Sequence, residues 1–205
     1  IQPSLFLRIR PGNKTAVQQK LDEVGLRYSM PADDCLALPN SIKIDSLFTP
    51  DKEIVIQDCN SQKVLDIVPK RFPVQTTPQP VSVWDCCAAS GGKSLLAFDR
   101  LNGTINLTVS DIRESILANL KKRFAAAGIR HYRSFTADLS ASDHHPSSLH
   151  YQLIICDAPC TGSGTWGRTP EQLCFFDERS MAVYANRQKQ IVVNAVSQLQ
   201  TGGLF

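Results

Sequence analysis

The sequence predicts an α/β protein in which a small N-terminal α+β unit precedes a parallel, doubly wound sheet. From Val81 onward, short apolar stretches typical of buried strands alternate with helical patterns, and this alternation favours a parallel sheet. The first of these stretches runs into a turn of small residues and then into a helix that begins at Gly92. The chain has 205 residues, of which 42% are hydrophobic, so it is long enough for one such domain and a small additional unit.

Residues 1–48 are predicted to form the small α+β domain. Residues 5–10 alternate apolar and polar positions, which predicts a half-exposed strand whose polar face carries Arg8 and Arg10. Residues 17–24 show helical spacing that ends at Gly25. Two short strands are expected at residues 35–38 and 42–44.

Residues 49–205 are predicted to form the larger domain. A short helix is expected to start at residues 60–61 and to stop at Pro69, followed by a proline-rich connector at residues 72–80. The later elements alternate, with strands at residues 81–84, 105–110, 132–137 and 151–156 and helices at residues 92–101, 112–127 and 177–200.

The turn after the first strand of this domain predicts a nucleotide-type binding site. Gly91 and Gly92 let a ligand approach the backbone, and the helix that begins there directs its free N–H groups toward the ligand. A phosphate-binding P-loop is disfavoured, because the position five residues before Gly92 holds Cys87 instead of glycine.

Aspartates follow four of the predicted strands, at Asp85, Asp111, Asp138 and Asp157. Any one of them is equally consistent with a helix cap or a turn. The carboxyl ends of parallel strands converge on one crevice, so we expect the four carboxylates to line a common pocket, with Asp111 placed to bind a ribose. Ribose hydroxyls, an adenine amine and a sulfonium group suit an acidic cleft. The predicted cofactor is therefore S-adenosylmethionine.

The seven cysteines include no C-x-x-C pair, so neither a disulfide framework nor a metal site is predicted, and a reducing cytoplasm is expected. Cys160 lies in a polar loop and is the candidate reactive thiol, although a free cysteine taken alone is more often buried. The other cysteines are expected to be structural, including Cys156 within an apolar strand.

Charge and hydropathy say little about partners. The net charge is only +3, and the basic residues near position 121–133 are as consistent with a solvated helix face as with a nucleic-acid contact. No apolar run approaches about eighteen residues and no signal-peptide pattern opens the chain, so no membrane association is predicted. We expect a cytoplasmic monomer.

Two stretches resemble motifs of the Sun-type (RsmB/RsmF-like) family of RNA cytosine-carbon-5 methyltransferases. They are residues 85–93, DCCAASGGK, and residues 157–164, DAPCTGSG. Residues 5–25 resemble, more loosely, the small RNA-recognition-like domain of that family. The resemblance implies a Rossmann-like S-adenosylmethionine-dependent methyltransferase sheet, with ribosomal or transfer RNA as the partner. It assigns cofactor contacts to Cys87, Ala88, Ala89, Ser90, Gly91, Gly92, Lys93, Asp111, Asp138 and Asp157.

The same resemblance implies catalytic roles for two residues. Asp157 would also address the base, and Cys160 would assist release of the product. The family's nucleophile is a second cysteine in a Thr-Cys-Ser strand end, which would lie beyond Phe205, so we expect the chain to be a piece of a longer protein. Arg8 and Arg10 are expected to contact RNA.

Other functions stay open at this point. One is a catalytically silent RNA-binding scaffold that keeps the cofactor fold. Another is a methyltransferase that acts on an amine of DNA or protein, although Pro159 and Cys160 are a poor match for the polar-aromatic loop that orients an amine. A dinucleotide-dependent oxidoreductase is less favoured still, because the G-x-G-x-x-G spacing is missing.

Overall fold

The computed structural model of the chain describes residues 3–40, 42–73, 79–141 and 149–205. These residues group into two compact units. The first comprises Ile1–Pro78, Gly91–Thr104 and Lys121–Arg130, and the second comprises Gln79–Ser90, Ile105–Leu120 and His131–Phe205. The predicted division of the chain at residue 48 stays a prediction.

The first unit contains an antiparallel sheet with strand order β2-β3-β1-β4. Alternating apolar residues of β1 and β3 and the apolar face of α1 form its core, in which Leu7, Leu21 and Leu36 are fully buried. The elements are β1 (Leu5–Ile9), α1 (Lys14–Glu23), β2 (Ser29–Ala32), β3 (Cys35–Leu38), β4 (Ile54–Ile56), α2 (Cys59–Lys63), α3 (Val68–Arg71) and α4 (Gly92–Arg100).

Three features of this unit differ from the sequence predictions. The expected strand at residues 42–44 is wrong, because a 3₁₀ turn occupies Ile44–Ser46. Strands β2 and β4 were not predicted, since β2 contains a proline and β4 has three residues defined mainly by pairing with β1. The single helix predicted from residues 60–61 to Pro69 is instead two short helices, α2 and α3. Pro69 lies in the first turn of α3, where a backbone N–H has no partner within the helix, so proline costs no hydrogen bond there.

The predicted half-exposed basic face of β1 is also wrong. The side chain of Arg8 is 1% exposed, and its Nη1 contacts Asp99 Oδ2 at 2.5 Å. Arg10 Nη2 lies 2.7 Å from the other oxygen of the same carboxylate. Asp99 belongs to the last turn of α4, so these two arginines face a helix of their own unit instead of solvent.

The remaining donors of this arginine pair are largely bonded as well. Arg8 Nε donates to Gln57 Oε1 at 3.0 Å. Arg10 Nη1 donates to the carbonyl oxygens of Asp51, at 2.7 Å, and Ala127, at 2.9 Å. Burial lowers the pKa of the Arg8 guanidinium below its usual value, and the neighbouring Asp99 carboxylate opposes that shift. The cluster is therefore a structural ion network that holds β1 to α4.

Replacing Asp99 by alanine is expected to destabilise the protein strongly. The Asp99→Ala variant leaves two buried guanidinium groups without their carboxylate, a change that costs about 3–5 kcal/mol in buried ion pairs. The matched control is Asp33→Ala, which breaks the pair with Lys14, where the Asp33 side chain is 93% exposed. That control should change the free energy of unfolding by about 1 kcal/mol or less. Urea denaturation of both variants measures the difference, and equal losses would contradict the network's structural role.

The second unit contains a five-stranded parallel sheet with strand order β7-β6-β5-β8-β9. If these strands are numbered 1 to 5 along the chain, their order across the sheet is 3-2-1-4-5. This is the order found in a dinucleotide-binding doubly wound fold. The elements are β5 (Val81–Asp85), β6 (Ile105–Asp111), β7 (Tyr132–Thr136), β8 (Tyr151–Ile155), α6 (Arg179–Val196) and β9 (Leu199–Leu204), and α5 (Glu114–Ala127) connects β6 to β7.

The core of this unit is built around Trp84, which is fully buried. Its ring lies 5.4 Å from that of Tyr151, centroid to centroid. Ile154 from β8 and Ile191 and Ala195 from α6 belong to the same buried cluster. The core therefore joins the central strands to one face of α6.

Several predicted helix limits in the second half of the chain are corrected. Helix α5 begins at Glu114, and Ile112, predicted to face the core, is 55% exposed because it precedes the helix. Helix α6 ends at Val196, so Leu199 belongs to β9 and not to the helix. The predicted connector at residues 72–80 falls largely on residues 74–78, which lie outside the described residues.

Strand β9 depends on a glycine at its far end. A Cβ atom on Gly203 would lie 2.9 Å from the carbonyl oxygen of Gln200 and 3.0 Å from that of Gln152, closer than side-chain carbons approach backbone oxygens. This crowding coincides with the register shift between β8 and β9. None of the helices in the described part of the chain has both the length and the apolar character that crossing a bilayer requires.

Candidate active site

A cavity of about 470 Å³ lies at the carboxyl ends of the parallel strands. Strand β5 has β6 on one side and β8 on the other, so the connections that follow β5 and β8 lead in opposite directions across the sheet. In open parallel sheets, ligands bind in the crevice at such a switch point. All of the cavity's lining residues belong to the second unit.

Six of the predicted site residues line the cavity: Cys87, Ala89, Asp111, Asp138, Asp157 and Cys160. They come from four separate segments of the chain. The predicted cofactor residues Ala88, Ser90, Gly91, Gly92 and Lys93 are not among its lining residues. Asp85, expected to share the pocket, is 1% exposed and does not line it either.

Three hydrogen bonds hold the Asp111 carboxylate at the edge of the cavity. It is 6% exposed, and its Oδ2 accepts a hydrogen bond from the Ala89 amide at 2.9 Å. Its Oδ1 accepts from the amide of Arg113 at 3.0 Å and from Arg113 Nε at 3.2 Å. A carboxylate has about four acceptor positions, so these three bonds leave one for a ligand. Asp111 therefore fixes two loops while still facing the cavity.

The turn after β5 is held to the strands on both sides. The amide of Cys86 donates to the Ile155 carbonyl on β8, and the amide of Ala88 donates to the Ser110 carbonyl on β6, both at 2.9 Å. Ala89 has a φ of 46°, which few residues other than glycine adopt. The bond from its amide to Asp111 helps to stabilise this conformation.

Asp138 and the loop after β7 form another wall of the cavity. Asp138 Oδ1 accepts from the amide of Ser140 at 2.9 Å and from its hydroxyl at 2.6 Å. Asn194 of α6 donates to the carbonyl oxygens of Leu139, at 2.9 Å, and Ala141, at 3.1 Å. Helix α6 therefore fixes the loop that carries Asp138.

The loop after β8 brings Asp157 and Cys160 to the cavity, and both residues are exposed. The amide of Gly162 lies 3.4 Å from Cys160 Sγ and donates to it, and Gly162 adopts a φ of 76°. The Pro159 carbonyl accepts from Gln188 of α6 at 2.9 Å. A thiol at this position is accessible to a ligand in the cavity.

Sequence reasoning missed several cavity residues. Tyr184 and Arg187 of α6 line it, as do Ile112 and Arg113 just after β6. Tyr184 lies within the helix predicted at residues 177–200, to which the sequence assigns no function. Tyr184 and Arg187 are three residues apart, so both lie on one face of the helix. An aromatic and a basic side chain on one face could have identified them from the sequence as cavity residues.

Three cysteines meet at the inner side of the cavity. The Sγ atoms of Cys86, Cys87 and Cys156 all lie within 4.8 Å of one another. Hydrogen bonds from Cys86 and Cys87 lower the pKa of the Cys156 thiol, whereas the same contact with Cys156 is the main cause that raises the pKa of Cys86. The three thiols are therefore joined by hydrogen bonds between their sulfur atoms.

A buried relay supports the turn from below. Trp84 Nε1 donates to Ser110 Oγ at 3.0 Å, and that hydroxyl donates to the Cys86 carbonyl at 3.1 Å. Trp84 and Ser110 are both fully buried. These two hydrogen bonds satisfy the Trp84 N–H donor and the Cys86 carbonyl acceptor, which are shielded from solvent.

Removing the Ser110 hydroxyl is expected to destabilise the protein by about 1–3 kcal/mol, because Ser110→Ala leaves the buried Trp84 N–H without its acceptor. The control is Ser197→Ala, which removes an exposed hydroxyl bonded to the Asn194 carbonyl. The control should shift the free energy of unfolding by about 0.5 kcal/mol or less. Thermal or urea unfolding tests both variants, and a loss for Ser110→Ala no larger than that of the control would contradict the relay.

The comparison with protein families gives one match over most of the chain. Residues 75–205 match the model described as 16S rRNA methyltransferase RsmB/F. A curated relative, ribosomal RNA small subunit methyltransferase B of Xylella fastidiosa strain Temecula1, is 24% identical over 98% of this chain and 45% of its own length. The chain spans 29–45% of the length of the first curated relatives that it matches.

Solved structures support the same fold. The crystal structure of PH0851 superposes with a TM-score of 0.82 at 21% identity, over 100% of this chain and 46% of that one. NSun6 from Pyrococcus horikoshii, solved with SFG, gives a TM-score of 0.68 at 14% identity, over 99% of this chain and 74% of that one. The predicted Rossmann-like α/β fold is confirmed, and so is S-adenosylmethionine as the cofactor of the family.

Proposed function

The chain belongs to the 16S rRNA methyltransferase RsmB/F family, and from that premise we propose that it serves S-adenosylmethionine-dependent methylation of carbon 5 of a cytosine in RNA. One observation carries the proposal. The cavity at the carboxyl ends of the strands brings Asp111, Asp138, Asp157 and Cys160 together. Asp111 and Asp138 suit the cofactor, whereas the Asp157 carboxyl group and the Cys160 thiol suit a pyrimidine base.

The cavity's residues fit the cofactor. Its volume of about 470 Å³ falls within the range of about 300–1,000 Å³ that is usual for small-molecule sites. Asp111 has one acceptor position left for a ribose hydroxyl, and Ile112 beside it offers an apolar surface for a base. Asp138 supplies negative charge toward a sulfonium group. S-adenosylmethionine, when bound, supplies the methyl group.

Asp157 and Cys160 would act on the base. Carbon 5 of cytosine becomes nucleophilic only after a thiolate has added to carbon 6, and a group at ring nitrogen 3 must then stabilise the added charge. Asp157, in its protonated form, would donate a hydrogen bond to ring nitrogen 3. After transfer, a proton must leave carbon 5 and the thiolate must be expelled, which a second polar group beside the base assists. We assign that role to Cys160, and the attack on carbon 6 to a second cysteine thiolate.

The proposed substrate is an unpaired or transiently opened cytosine in RNA, because chemistry at carbon 6 requires the base to leave its stack. Arg187 lines the same cavity and supplies a positive charge that suits a phosphate. Ribosomal RNA is the substrate in the printed description of the family and of the Xylella relative.

Replacing Asp111 should weaken cofactor binding. We expect Asp111→Ala to lose about 1.5–3 kcal/mol of binding free energy, the usual range for a hydrogen bond to a charged group. Isothermal titration calorimetry with S-adenosylmethionine measures the loss. The matched control is Asp177→Ala, since the Asp177 carboxylate is bonded to Arg179 and does not line the cavity.

The stability of Asp111→Ala has to be measured beside its affinity, because Asp111 also holds Ala89 and Arg113. A folded variant that binds S-adenosylmethionine as tightly as the parent would remove Asp111 from the cofactor site. A parent chain that binds no S-adenosylmethionine at all would instead favour a silent scaffold.

The role of Cys160 is tested in the full-length protein. If Cys160 assists release, Cys160→Ala should attack the base and transfer the methyl group but fail to expel the thiolate. A covalent protein–RNA adduct should then accumulate and migrate slowly on a denaturing gel with labelled RNA and S-adenosylmethionine.

The matched control is Cys174→Ala, which removes an exposed cysteine outside the cavity and should accumulate no adduct. Loss of both the adduct and all methylation in Cys160→Ala would make Cys160 itself the nucleophile. Detection of the methyl group on an amine instead of carbon 5 would overturn the assigned substrate.

A further inference from the structure

We propose that Cys86, Cys87 and Cys156 bind a soft d¹⁰ metal ion, Cu(I) or Zn²⁺, through their three sulfur atoms. Among the described residues, this is the one group of three or more histidine, cysteine or acidic side chains whose ligand atoms converge closely enough to hold an ion. The proposal stands independently of the methyl transfer proposed above.

The geometry needs little adjustment. Zinc–thiolate bonds are about 2.3 Å long, so three sulfurs around one ion in a plane lie about 4 Å apart. The three Sγ atoms already lie within 4.8 Å of one another. Each sulfur therefore has to move by less than about 1 Å, a shift that side-chain rotation supplies.

The backbone keeps the three thiols in place. Asp85 on β5 pairs with Ile155 on β8, so Cys86 and Cys156 are the next residues on two adjacent parallel strands. The bond from the Cys86 amide to the Ile155 carbonyl, at 2.9 Å, extends that pairing. Cys87 follows directly in the turn. A site whose ligands come from paired strands is largely formed before the ion arrives.

The ligands and their surroundings favour a soft cation. Thiolate ligands select Cu(I) and Zn²⁺ over hard cations such as Mg²⁺. The negative charge of Asp157 acts on Cys156, and that of Asp85 acts on Cys87. Three thiolates beside two carboxylates would repel one another, and a bound cation removes that repulsion. No fourth protein ligand belongs to the group in the described chain, which suits three-coordinate Cu(I), or Zn²⁺ with a fourth position open.

The sequence predicts no metal site, because no two of its cysteines form a C-x-x-C pair. The ligands here come from a vicinal pair and from a cysteine on another strand, and only strand pairing brings them together. Cys86 and Cys87 also line the cavity. An ion held by them would lie at its wall, so metal binding and cofactor binding should influence each other.

The test uses the reduced, metal-free chain and Cd²⁺ as the probe, because thiolate-to-Cd²⁺ charge transfer gives an ultraviolet absorption band. We expect one equivalent of Cd²⁺ to bind against a competing chelator, with a band intensity that corresponds to three thiolates. Cu(I) should displace the bound Cd²⁺, and Zn²⁺ should compete with it when present in excess; the stronger competitor identifies the preferred ion.

Loss of one ligand should weaken binding by about 100-fold or more, since removing even an outer-shell partner of a metal site costs about 10- to 100-fold. Cys156→Ala and Cys87→Ser should each show this loss. Cys59→Ser and Cys174→Ser are the matched controls, because both cysteines lie outside the cluster, and both variants should bind as the parent does. Circular dichroism checks that each variant folds.

Two results would overturn the proposal. One is unchanged Cd²⁺ affinity in folded Cys156→Ala and Cys87→Ser. The other is a parent chain that fails to retain Cd²⁺ against the chelator, or whose bound Cd²⁺ neither Zn²⁺ nor Cu(I) displaces.

Discussion

Parallel pairing of β5 with its two neighbours is the constraint on which the site depends. Because β6 and β8 flank β5 in the same direction, the segments that follow all three strands emerge at one edge of the sheet. Residues far apart in the chain, such as Asp111 and Asp157, then line one cavity. The same register brings Cys86 beside Cys156. One backbone arrangement thus accounts for both the carboxylate wall and the thiol cluster.

Hydrogen bonds to backbone convert this convergence into a defined site. The Asp111 carboxylate fixes the turn after β5 and the loop after β6 together, and Trp84 and Ser110 support the same turn from the core. On the opposite wall, Asn194 and Gln188 of α6 hold the loops that follow β7 and β8. Helix α6 therefore acts as a support for the loops that carry the acidic and thiol groups. Side chains that never meet a ligand determine where those groups lie.

Charge on a strand is an ambiguous signal, as Arg8 and Arg10 illustrate. Their alternation with apolar residues predicted a basic surface suited to phosphates, yet both guanidinium groups are buried against Asp99. Alternation specifies that two faces differ, but it does not say what covers the second face. Here the covering element is α4, whose sequence lies about 90 residues later. Arg187, which does line the cavity, belongs to a predicted helix to which the sequence assigned no function.

The sequence by itself determined the alternation of the first four strands of the parallel sheet with helices, the two motif segments and the aspartate at or just after the end of each of those four strands. These features are local, because period, turn residues and strand ends are written in neighbouring positions. The tertiary structure decided which of these residues share a cavity: Asp111, Asp138 and Asp157 do, whereas Asp85 is buried. It also decided that Cys86 and Cys156 meet, since strand pairing between distant segments, and not spacing along the chain, sets which side chains are neighbours.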